Sequence, residues 1–326
     1  MAVIFLMGPA GAGKRTIETQ LHAESYDVRV LSKASLYNGD VPGEDCISFF
    51  IDADDSELNE RLWIDKTSED YKKEIRLRSD ERKYSDSADY IIANHGEETI
   101  CVNYAVELIK RLLELRGKSS FLSEYDIRLM TKCGMLVENY NENNIKGASY
   151  DLSLGDDYYY AGDIISLDNK NPILTIEPYD YAIVSCREVI NLPKDVVAHF
   201  GLTVGLFCQG LILSNGQQVD PGFRGTLFCL LFNTSNKTVT IKKGEKYSTI
   251  DFFKMDRLVD KYKGKYQEKR KIADIIPDNS LKGAINELKQ EVEELKSESR
   301  NLQNLYISVI AIIVAAISVL LIFNGV

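Results

Sequence analysis

The feature that most constrains the fold is the stretch NGQQVDPGFRGT, residues 215–226, together with its apolar flanks. Asp220, Pro221 and Gly222 favour a tight turn, because proline fixes φ and glycine accepts backbone conformations that other residues avoid. The flanking segments LILSN and TLFCLLF have the length and apolar content of β-strands. We therefore expect a β-rich domain in which this turn holds an exposed carboxylate on a rigid frame. A purely structural hairpin is the alternative.

A second pattern occupies the N-terminus, where the apolar run AVIFLM leads directly into GPAGAGKRT, residues 8–16. Strand, glycine loop and helix in this order are typical of phosphate-binding loops, in which backbone N–H groups and the positive helix end approach the phosphates. We expect Lys14 to reach the terminal phosphates and Thr16 to contribute to a metal site. The predicted cofactor-binding residues of the loop are Gly8, Gly11, Ala12, Gly13, Lys14, Arg15 and Thr16. A structural glycine turn is the alternative.

The loop variant GxxGxGKxT resembles that of nucleoside monophosphate kinases, and GPAGAGKRT is particularly similar to guanylate and adenylate kinases. The similarity continues through ISFFIDADDSELNERL to ADYIIANHGE. It implies ATP or GTP with Mg²⁺ as cofactor, Asn94 near the base, and catalytic roles for Lys14 and the lid arginine Arg76. The alternative is that the arginines lie on a solvent-exposed face of a helix and have no catalytic role. The segment before Ile47 is too short for the family's acceptor-binding subdomain. We therefore expect a shortened P-loop domain over residues 1–117.

Four ordered motifs follow: LSEYDI, SYDLSLG, LPKDVV and VDPGFRG. They resemble the motifs of bacterial dCTP deaminases and of the wider dUTPase superfamily, over residues 120–267. Short β segments with Gly and Asn turns independently favour an all-β unit. The resemblance implies a jelly-roll domain over residues 120–271, a homotrimer with sites between subunits, and nucleotides as ligands. The deoxynucleotide-binding residues that it implies are Tyr150, Asp151, Gln218, Asp220, Phe223 and Asn233.

The groups that carry the chemistry of that family are replaced in this sequence. The family's GRSS-like phosphate loop corresponds to FGLTVGLFCQGL, which has no arginine and only Thr203 as a hydroxyl. The family's glutamate aligns with Leu230, and its arginine before the turn aligns with Gln218. A leucine cannot act as a general base. We therefore expect a nucleotide pocket that has lost deamination. Conservation of fold and trimer contacts alone is one alternative, and an active dCTP deaminase or dUTPase is a weaker one.

The C-terminal part predicts two further elements. A coiled-coil stalk is expected over residues 278–305, and its a and d positions are Leu281, Ile285, Leu288, Val292, Leu295, Ser299 and Leu302. The eighteen residues from Tyr306 to Phe323 carry no charge, which is close to the length that a bilayer core requires. We expect a single transmembrane helix there. Basic residues only on its N-terminal side favour a tail anchor with the head in the cytoplasm. A buried core helix is the alternative.

The composition narrows the choice of partners. A formal net charge of −10 argues against a duplex nucleic-acid surface, and six scattered cysteines without a CxxC pair indicate a reduced, intracellular chain. The expected fold class is thus multidomain, α/β plus all-β, with a stalk and a membrane helix. The expected function is to sense or sequester deoxynucleotides, coupled to NTP binding. The alternative is an active P-loop kinase or NTPase in which the β domain is a trimerising scaffold.

Overall fold

The structure, a computed structural model, describes residues 3–9, 12–31, 46–53, 85–93, 98–214, 218–276 and 284–323. Three of the predicted site residues, Gly11, Arg76 and Asn94, lie outside the described residues, so their expected roles stay predictions.

In the residues that the structure describes, the N-terminal unit has a four-stranded parallel sheet and two helices. Its elements are β1 (Val3–Met7), α1 (Lys14–Ala23), β2 (Val28–Val30), β3 (Cys46–Asp52), β4 (Tyr90–Ala93) and α2 (Glu98–Glu114). The strand order is β2-β1-β3-β4, and all three pairings are parallel. Strands of a parallel sheet are covered on both faces, which explains the continuous apolar runs of β1 and β3. β1 ends at Met7 and α1 begins at Lys14, so a strand precedes the segment 8–13 and a helix follows it, and the phosphate-binding loop itself stays a prediction.

The second unit is β-rich and antiparallel. Its strands are β5 (Ser120–Phe121), β6 (Leu136–Glu138), β7 (Ser149–Tyr160), β8 (Asp163–Ser166), β9 (Ile173–Ile176), β10 (Tyr181–Cys186), β11 (Val189–Asn191), β12 (Val196–Leu202), β13 (Leu211–Ser214), β14 (Gln218–Val219), β15 (Arg224–Gly225), β16 (Phe228–Asn233), β17 (Val239–Lys242) and β18 (Lys246–Lys254). Two helices join them, α3 (Glu124–Lys132) and α4 (Val204–Phe207). The β-rich domain predicted from the sequence is confirmed.

Three sheets make up this unit. The largest has the order β13-β16-β10-β7-β18-β12-β14, with β5 paired to β18 and β8 paired to β7. A three-stranded sheet, β15-β11-β6, and a two-stranded sheet, β17-β9, pack with it. The alternation of buried and half-exposed residues along β16 and β18 is typical of sheets with one face on a core.

The Asp220-Pro221-Gly222 turn lies between the two strands expected from the apolar flanks, β13 and β16, which pair antiparallel. It is more than a hairpin loop, because β14 pairs with β12 and β15 pairs with β11 on the way. Gly222 has φ of 74°, and a Cβ there would lie 2.7 Å from Lys261 Cα. The turn therefore requires glycine both for its backbone conformation and for the close approach of residue 261.

The two units meet along the edge strand β4. Ala93 N donates to Cys133 O over 2.9 Å. Tyr90 Oη donates to Asp195 Oδ2 over 2.5 Å, and Lys254 Nζ lies 3.0 Å from the same oxygen. The side chains of Asp195 and Lys254 are both almost fully buried. The junction is therefore a buried polar cluster within a largely apolar core.

The C-terminal part is one helix, α5 (Ala284–Phe323). In the part of the chain that the structure describes, no helix has both the length and the apolar character needed to cross a membrane. The transmembrane helix expected over residues 306–323 is therefore not supported. The apolar a and d side chains Val292, Leu295 and Leu302 are exposed in this single chain, and the coiled coil stays a prediction.

Candidate functional site

A cavity of about 300 Å³ lies beside the Asp220-Pro221-Gly222 turn, and we call it the DPG cavity. Its lining is mainly aromatic and aliphatic, with a few polar groups. It consists of Phe200, Gln218, Val219, Asp220, Phe223, Thr226, Leu227, Phe228, Tyr262, Tyr266 and Ile275. An apolar cavity with a few convergent polar groups is the usual form of a small-molecule site.

The turn places three of the predicted site residues on this cavity. Gln218 lies on β14, and its Nε2 donates to Asp220 Oδ1 over 3.0 Å. Phe223 directly follows Gly222, and its ring packs edge-to-face against Tyr262 with the centroids 5.7 Å apart. The cavity therefore offers one oriented carboxylate beside two aromatic rings, an arrangement that suits a ring-shaped ligand with polar edges.

The tail segment, residues 261–269, closes one side of the cavity. Tyr262 N donates to Pro221 O over 3.0 Å, and Thr226 N donates to Lys269 O over 2.9 Å. Between them the Gln267 side chain donates to Gly222 O over 3.0 Å and accepts from Arg224 N over 3.1 Å. These bonds hold the tail along the whole turn.

Tyr262 and Tyr266 are two of the lining residues that were not predicted as site residues. Their signal was the motif YKGKYQ, residues 262–267, which resembles a segment that closes over nucleotide in dCTP deaminases. The spacing of four residues brings both rings to the same cavity.

Three predicted binding residues are not on the DPG cavity. Tyr150 is fully buried; its hydroxyl donates to Glu188 Oε1 over 3.2 Å and accepts from Asn141 N over 3.0 Å. Burial raises the pKa of the Tyr150 phenol above its ordinary value. Both functions of the hydroxyl are used in the core, so Tyr150 supports the fold of this chain, and its expected role in ligand binding stays a prediction.

Asn233 and Asp151 are also bonded within this chain, and their expected roles in ligand binding stay predictions. Asn233 is fully buried, and its Nδ2 donates to Ile176 O over 3.0 Å and to Lys237 O over 2.8 Å. The Asp151 carboxylate accepts from the Thr249 hydroxyl and from Lys246 Nζ, both over 3.1 Å. Both side chains therefore tie strands and loops together within this chain.

The sequence resemblance places the family's glutamate at Leu230, which lies on β16 two residues after the lining residue Phe228. Side chains two residues apart on a strand point to the same face, so Leu230 lies on the face of β16 that carries Phe228 of the lining. The side chain at this place is a hydrocarbon. Thr203 begins the short helix α4, on which Val204 and Phe207 are 75% and 66% exposed. This segment, where the sequence resemblance predicts a phosphate loop, therefore presents exposed apolar side chains.

The described part of the N-terminal loop begins with a close turn at Gly8. Gly8 follows β1 with φ of 129°, and a Cβ there would lie 2.1 Å from Ile51 O. Lys14 Nζ donates to Gly8 O over 2.5 Å and to Pro9 O over 2.6 Å, so its side chain folds back over the loop. Arg15 and Thr16 are exposed in the first turn of α1. Among the described residues, no group of three or more His, Cys, Asp or Glu side chains could hold a metal.

A second, larger cavity of about 550 Å³ lies between the two units, and we call it the interdomain cleft. The N-terminal unit contributes Asp52 and Asp89, and the β-rich unit contributes Arg224, Lys261 and Glu268 among others. Arg224 Nε lies 2.8 Å from Glu138 Oε1, and its Nη1 lies 3.4 Å from Glu268 Oε2. The cleft is thus rich in charge, in contrast to the DPG cavity.

Comparison with known proteins identifies relatives of the β-rich unit. The profile of the family described as dCTP deaminase-like matches residues 121–255. The dCTP deaminase of Thermococcus kodakarensis is 36% identical over 140 residues, which are 43% of this chain and 89% of that protein. The dCTP deaminase of Pyrococcus horikoshii is 33% identical over 134 residues, which are 41% of this chain and 85% of that protein. A dUMP-forming dCTP deaminase of Persephonella marina is 30% identical over 42% of this chain and 84% of its own length.

Solved structures show weaker similarity. The 2'-deoxycytidine 5'-triphosphate deaminase from Agrobacterium tumefaciens matches with a TM-score of 0.37 and 17% identity, over 42% of this chain and 49% of that one. EIAV dUTPase matches with a TM-score of 0.28 and 14% identity, over 40% of this chain and 93% of that one. The family assignment rests on the sequence matches, which cover most of the length of the relatives. Through residues 121–255, the chain belongs to the dCTP deaminase-like family.

Proposed function

We propose that the β-rich unit binds the base and sugar of a deoxynucleotide at the DPG cavity without deaminating it, and so senses or sequesters that ligand. The observation that carries this proposal is the combination of a retained aromatic cavity around Asp220 and Phe223 with a leucine, Leu230, on the cavity-side face of β16. The relatives are named as dCTP deaminases, which supplies the class of ligand.

The chemistry of the lining supports binding more than turnover. Deamination needs a group that activates water and passes a proton to the leaving amine. Asp220 is the one carboxylate among the described lining residues, and the Gln218 amide donates to it. Phe223 and Tyr262 present ring faces and edges that can pack against a sugar or base. This set orients a ligand, and the described lining residues include no second carboxylate and no histidine.

Calorimetry on the full chain with the four dNTPs and dUTP tests the binding, and chromatography of products after incubation with dCTP and dUTP tests the chemistry. We expect heat of binding for at least one pyrimidine ligand and no dUTP, dUMP or ammonia from dCTP. Absence of binding to every ligand would overturn the proposal, and so would deamination of dCTP that Asp220→Ala abolishes.

We also propose that the chain assembles as a homotrimer. Its support is the resemblance to a trimeric family together with the exposed apolar side chains Val204, Phe207 and Ile212 near the DPG cavity. Light scattering coupled to size exclusion measures the mass of the assembly. Three chains are expected, and a monomer or a dimer at micromolar concentration contradicts this part.

A second candidate function, NTP binding by the N-terminal unit, is favoured by the glycine loop at the carboxyl end of β1 and by Lys14 folded over it. The residues fit ATP or GTP: backbone N–H groups and Lys14 would hold phosphates, and Thr16 would supply a hydroxyl ligand to Mg²⁺. The metal would neutralise phosphate charge. We expect Lys14→Ala to abolish nucleotide-dependent stabilisation against heat, whereas the exposed control Lys118→Ala retains it. Equal stabilisation of all three proteins contradicts this candidate.

A further inference from the structure

We propose that the interdomain cleft completes the NTP site of the N-terminal unit, and that the β-rich unit supplies cations to the phosphates of the bound nucleotide. This inference rests on the second candidate function, because it names the part of the chain that closes the same site. The ligand is a nucleoside triphosphate held between the two units of one chain, apart from the DPG cavity.

The first support is the position of the cleft beside the N-terminal loop. Gly8, the first residue of the loop, packs so closely on β3 that a Cβ there would lie 2.1 Å from Ile51 O. The next residue of β3, Asp52, lines the cleft. Lys14 Nζ donates to Gly8 O, so its ammonium lies at the same end of the sheet. A nucleotide whose phosphates reach Lys14 is therefore next to the cleft.

The cleft also lies where open parallel sheets bind their ligands. β3 ends at Asp52 and β4 ends at Ala93, and both residues line the cleft. In α/β sheets, ligands bind in the crevice outside the carboxyl ends of the strands. Here the β-rich unit provides the opposite wall of that crevice, through residues 191–194 and the DPG turn. The volume of about 550 Å³ is within the range of small-molecule sites.

The second support is the charge on the β-rich wall. Lys194, Arg224 and Lys261 all line the cleft from this unit. Lys194 Nζ donates to Ala88 O of the N-terminal unit over 2.8 Å, which places its ammonium at the boundary between the units. Ammonium and guanidinium groups form charge-assisted hydrogen bonds with phosphate oxygens. The β-rich wall therefore carries the kind of side chain that holds a polyphosphate.

Three of the four acidic side chains in the described lining are bonded within the chain. Asp89 Oδ2 accepts from the backbone N and the hydroxyl of Ser48, over 2.8 and 3.0 Å. Glu138 accepts two hydrogen bonds from Arg224, and Glu268 Oε2 lies 3.4 Å from the same guanidinium. The chain itself thus offsets most of the negative charge that would repel a polyphosphate.

The third support is that the two walls are fixed relative to each other. Tyr90 Oη donates to Asp195 Oδ2, and Ala93 N donates to Cys133 O, so β4 is bonded to the β-rich unit at both ends. Tyr90 and Asp195 are buried. A preformed site avoids the cost of ordering its walls when the ligand binds. The cations of one unit therefore stand ready at the loop of the other.

Lys261 is the cation to test, because its backbone is fixed on the DPG turn. A Cβ at Gly222 would lie 2.7 Å from Lys261 Cα, so the tail segment packs directly on the turn there. The next residue, Tyr262, donates its N–H to Pro221 O over 3.0 Å. Substitution of the Lys261 side chain therefore changes the charge of the cleft and leaves these backbone contacts in place.

Isothermal titration of the full chain with ATP and with GTP, each with Mg²⁺, tests the inference. Lys261→Gln is compared with Lys263→Gln, since Lys263 is an exposed lysine of the same tail segment outside both cavity linings. We expect Lys261→Gln to weaken affinity about tenfold at low salt, as for the loss of one charge-assisted hydrogen bond, and less at high salt. Lys261→Arg, which keeps the charge, and Lys263→Gln should both keep the affinity of the parent.

Two sets of results distinguish this inference from the candidate function on which it rests. If the parent binds neither nucleotide, or if Lys14→Ala binds as tightly as the parent, NTP binding by the N-terminal loop is wrong and the inference falls with it. If Lys14→Ala abolishes binding and Lys261→Gln leaves it unchanged, the candidate function stands and the inference is overturned. Equal losses in Lys261→Gln and in either Lys261→Arg or Lys263→Gln also overturn it, because the charge at residue 261 would then have no particular role.

Discussion

The DPG cavity and the interdomain cleft share one wall, which is formed by the turn at residues 220–224 and the tail segment at residues 261–269. The lining of the DPG cavity is mainly apolar, whereas that of the interdomain cleft is rich in charged side chains. Five residues of the turn and its exit, Asp220 to Arg224, contribute Asp220 and Phe223 to the DPG cavity and Gly222 and Arg224 to the interdomain cleft. The tail segment divides its side chains in the same way. Because the chain changes direction at Gly222, where φ is 74°, one short segment contributes side chains to an apolar site and to a charged one. The difference shows that the DPG motif of the family can be retained while the charged side chains beside it line a different cavity.

The largest effect is expected at the junction beside the cleft. Asp195→Ala leaves the Lys254 ammonium buried without its partner, so we expect the free energy of unfolding to fall by about 3–5 kcal/mol. Urea denaturation of the full chain measures this. Asp260→Ala, an exposed aspartate of the loop after β18, is the matched control and should change stability little. A loss below about 1 kcal/mol would mean that water reaches Lys254.

The next effect tests the aromatic side of the wall. Phe223→Leu keeps an apolar side chain but removes the ring that packs against Tyr262. We expect affinity for deoxycytidine to fall about tenfold, since stacking of a base on an aromatic ring contributes about 1–3 kcal/mol. Phe121→Leu is the control, because Phe121 is exposed and pairs with Phe253 away from the cavity. Equal affinity of Phe223→Leu and the parent would remove this ring from the site.

A smaller effect is expected on the charged side of the wall. Arg224→Met removes the ion pairs with Glu138 and Glu268 but keeps the bulk of the side chain. Because the guanidinium is more than a third exposed, we expect a loss of only about 1 kcal/mol. Hydrogen exchange should show faster exchange confined to residues 261–269. Arg128→Met, which breaks a similar exposed pair with Glu124 on α3, should leave exchange in the tail unchanged. Unchanged exchange in Arg224→Met would show that backbone bonds alone hold the tail.

The sequence predicted the fold of the β-rich unit well, because its signals are local. Alternating apolar segments and the turn chemistry of Asp220, Pro221 and Gly222 placed β13 and β16 correctly. The pairing of β14 with β12 and of β15 with β11 could not be predicted, since each joins strands that are distant in sequence. The expected membrane helix is not supported by the described residues, and the uncharged run lies within α5, which begins in the charged segment before it.

The candidate site was predicted in part. Gln218, Asp220 and Phe223 are neighbours in sequence, and a rigid turn brings them to one cavity. Tyr150 and Asn233 carry polar groups that resemblance assigned to a ligand, but the core uses all of these groups. The burial of these side chains depends on packing between strands that are distant in sequence, so a local sequence pattern cannot predict it. The interdomain cleft was likewise not foreseen, because it requires the relative placement of two units.

The smallest expected effect is a change in how the urea midpoint varies with pH. It concerns β11, the strand that supports the shared wall. Glu188 directly precedes β11, which pairs with β15 and so holds Arg224 in place. Its carboxyl group is buried, and it accepts from the Tyr150 hydroxyl and from Ser153 N. Burial raises the pKa of Glu188 above its ordinary value of 4.5, although these hydrogen bonds oppose the shift.

The sign follows from proton binding. The folded state holds the Glu188 proton more tightly than the unfolded chain, so its contribution to stability is complete below pH 4.5 and is lost as the pH rises through the higher folded pKa. We expect the urea midpoint of the parent to fall across this window relative to that of Glu188→Gln, whose side chain does not titrate. Glu142→Gln, a control at an exposed residue, should show the same change of urea midpoint with pH as the parent. If the urea midpoints of the parent and Glu188→Gln changed in parallel with pH, the Glu188 carboxyl would have the same pKa in the folded and unfolded states. It would then contribute nothing to the pH dependence of stability.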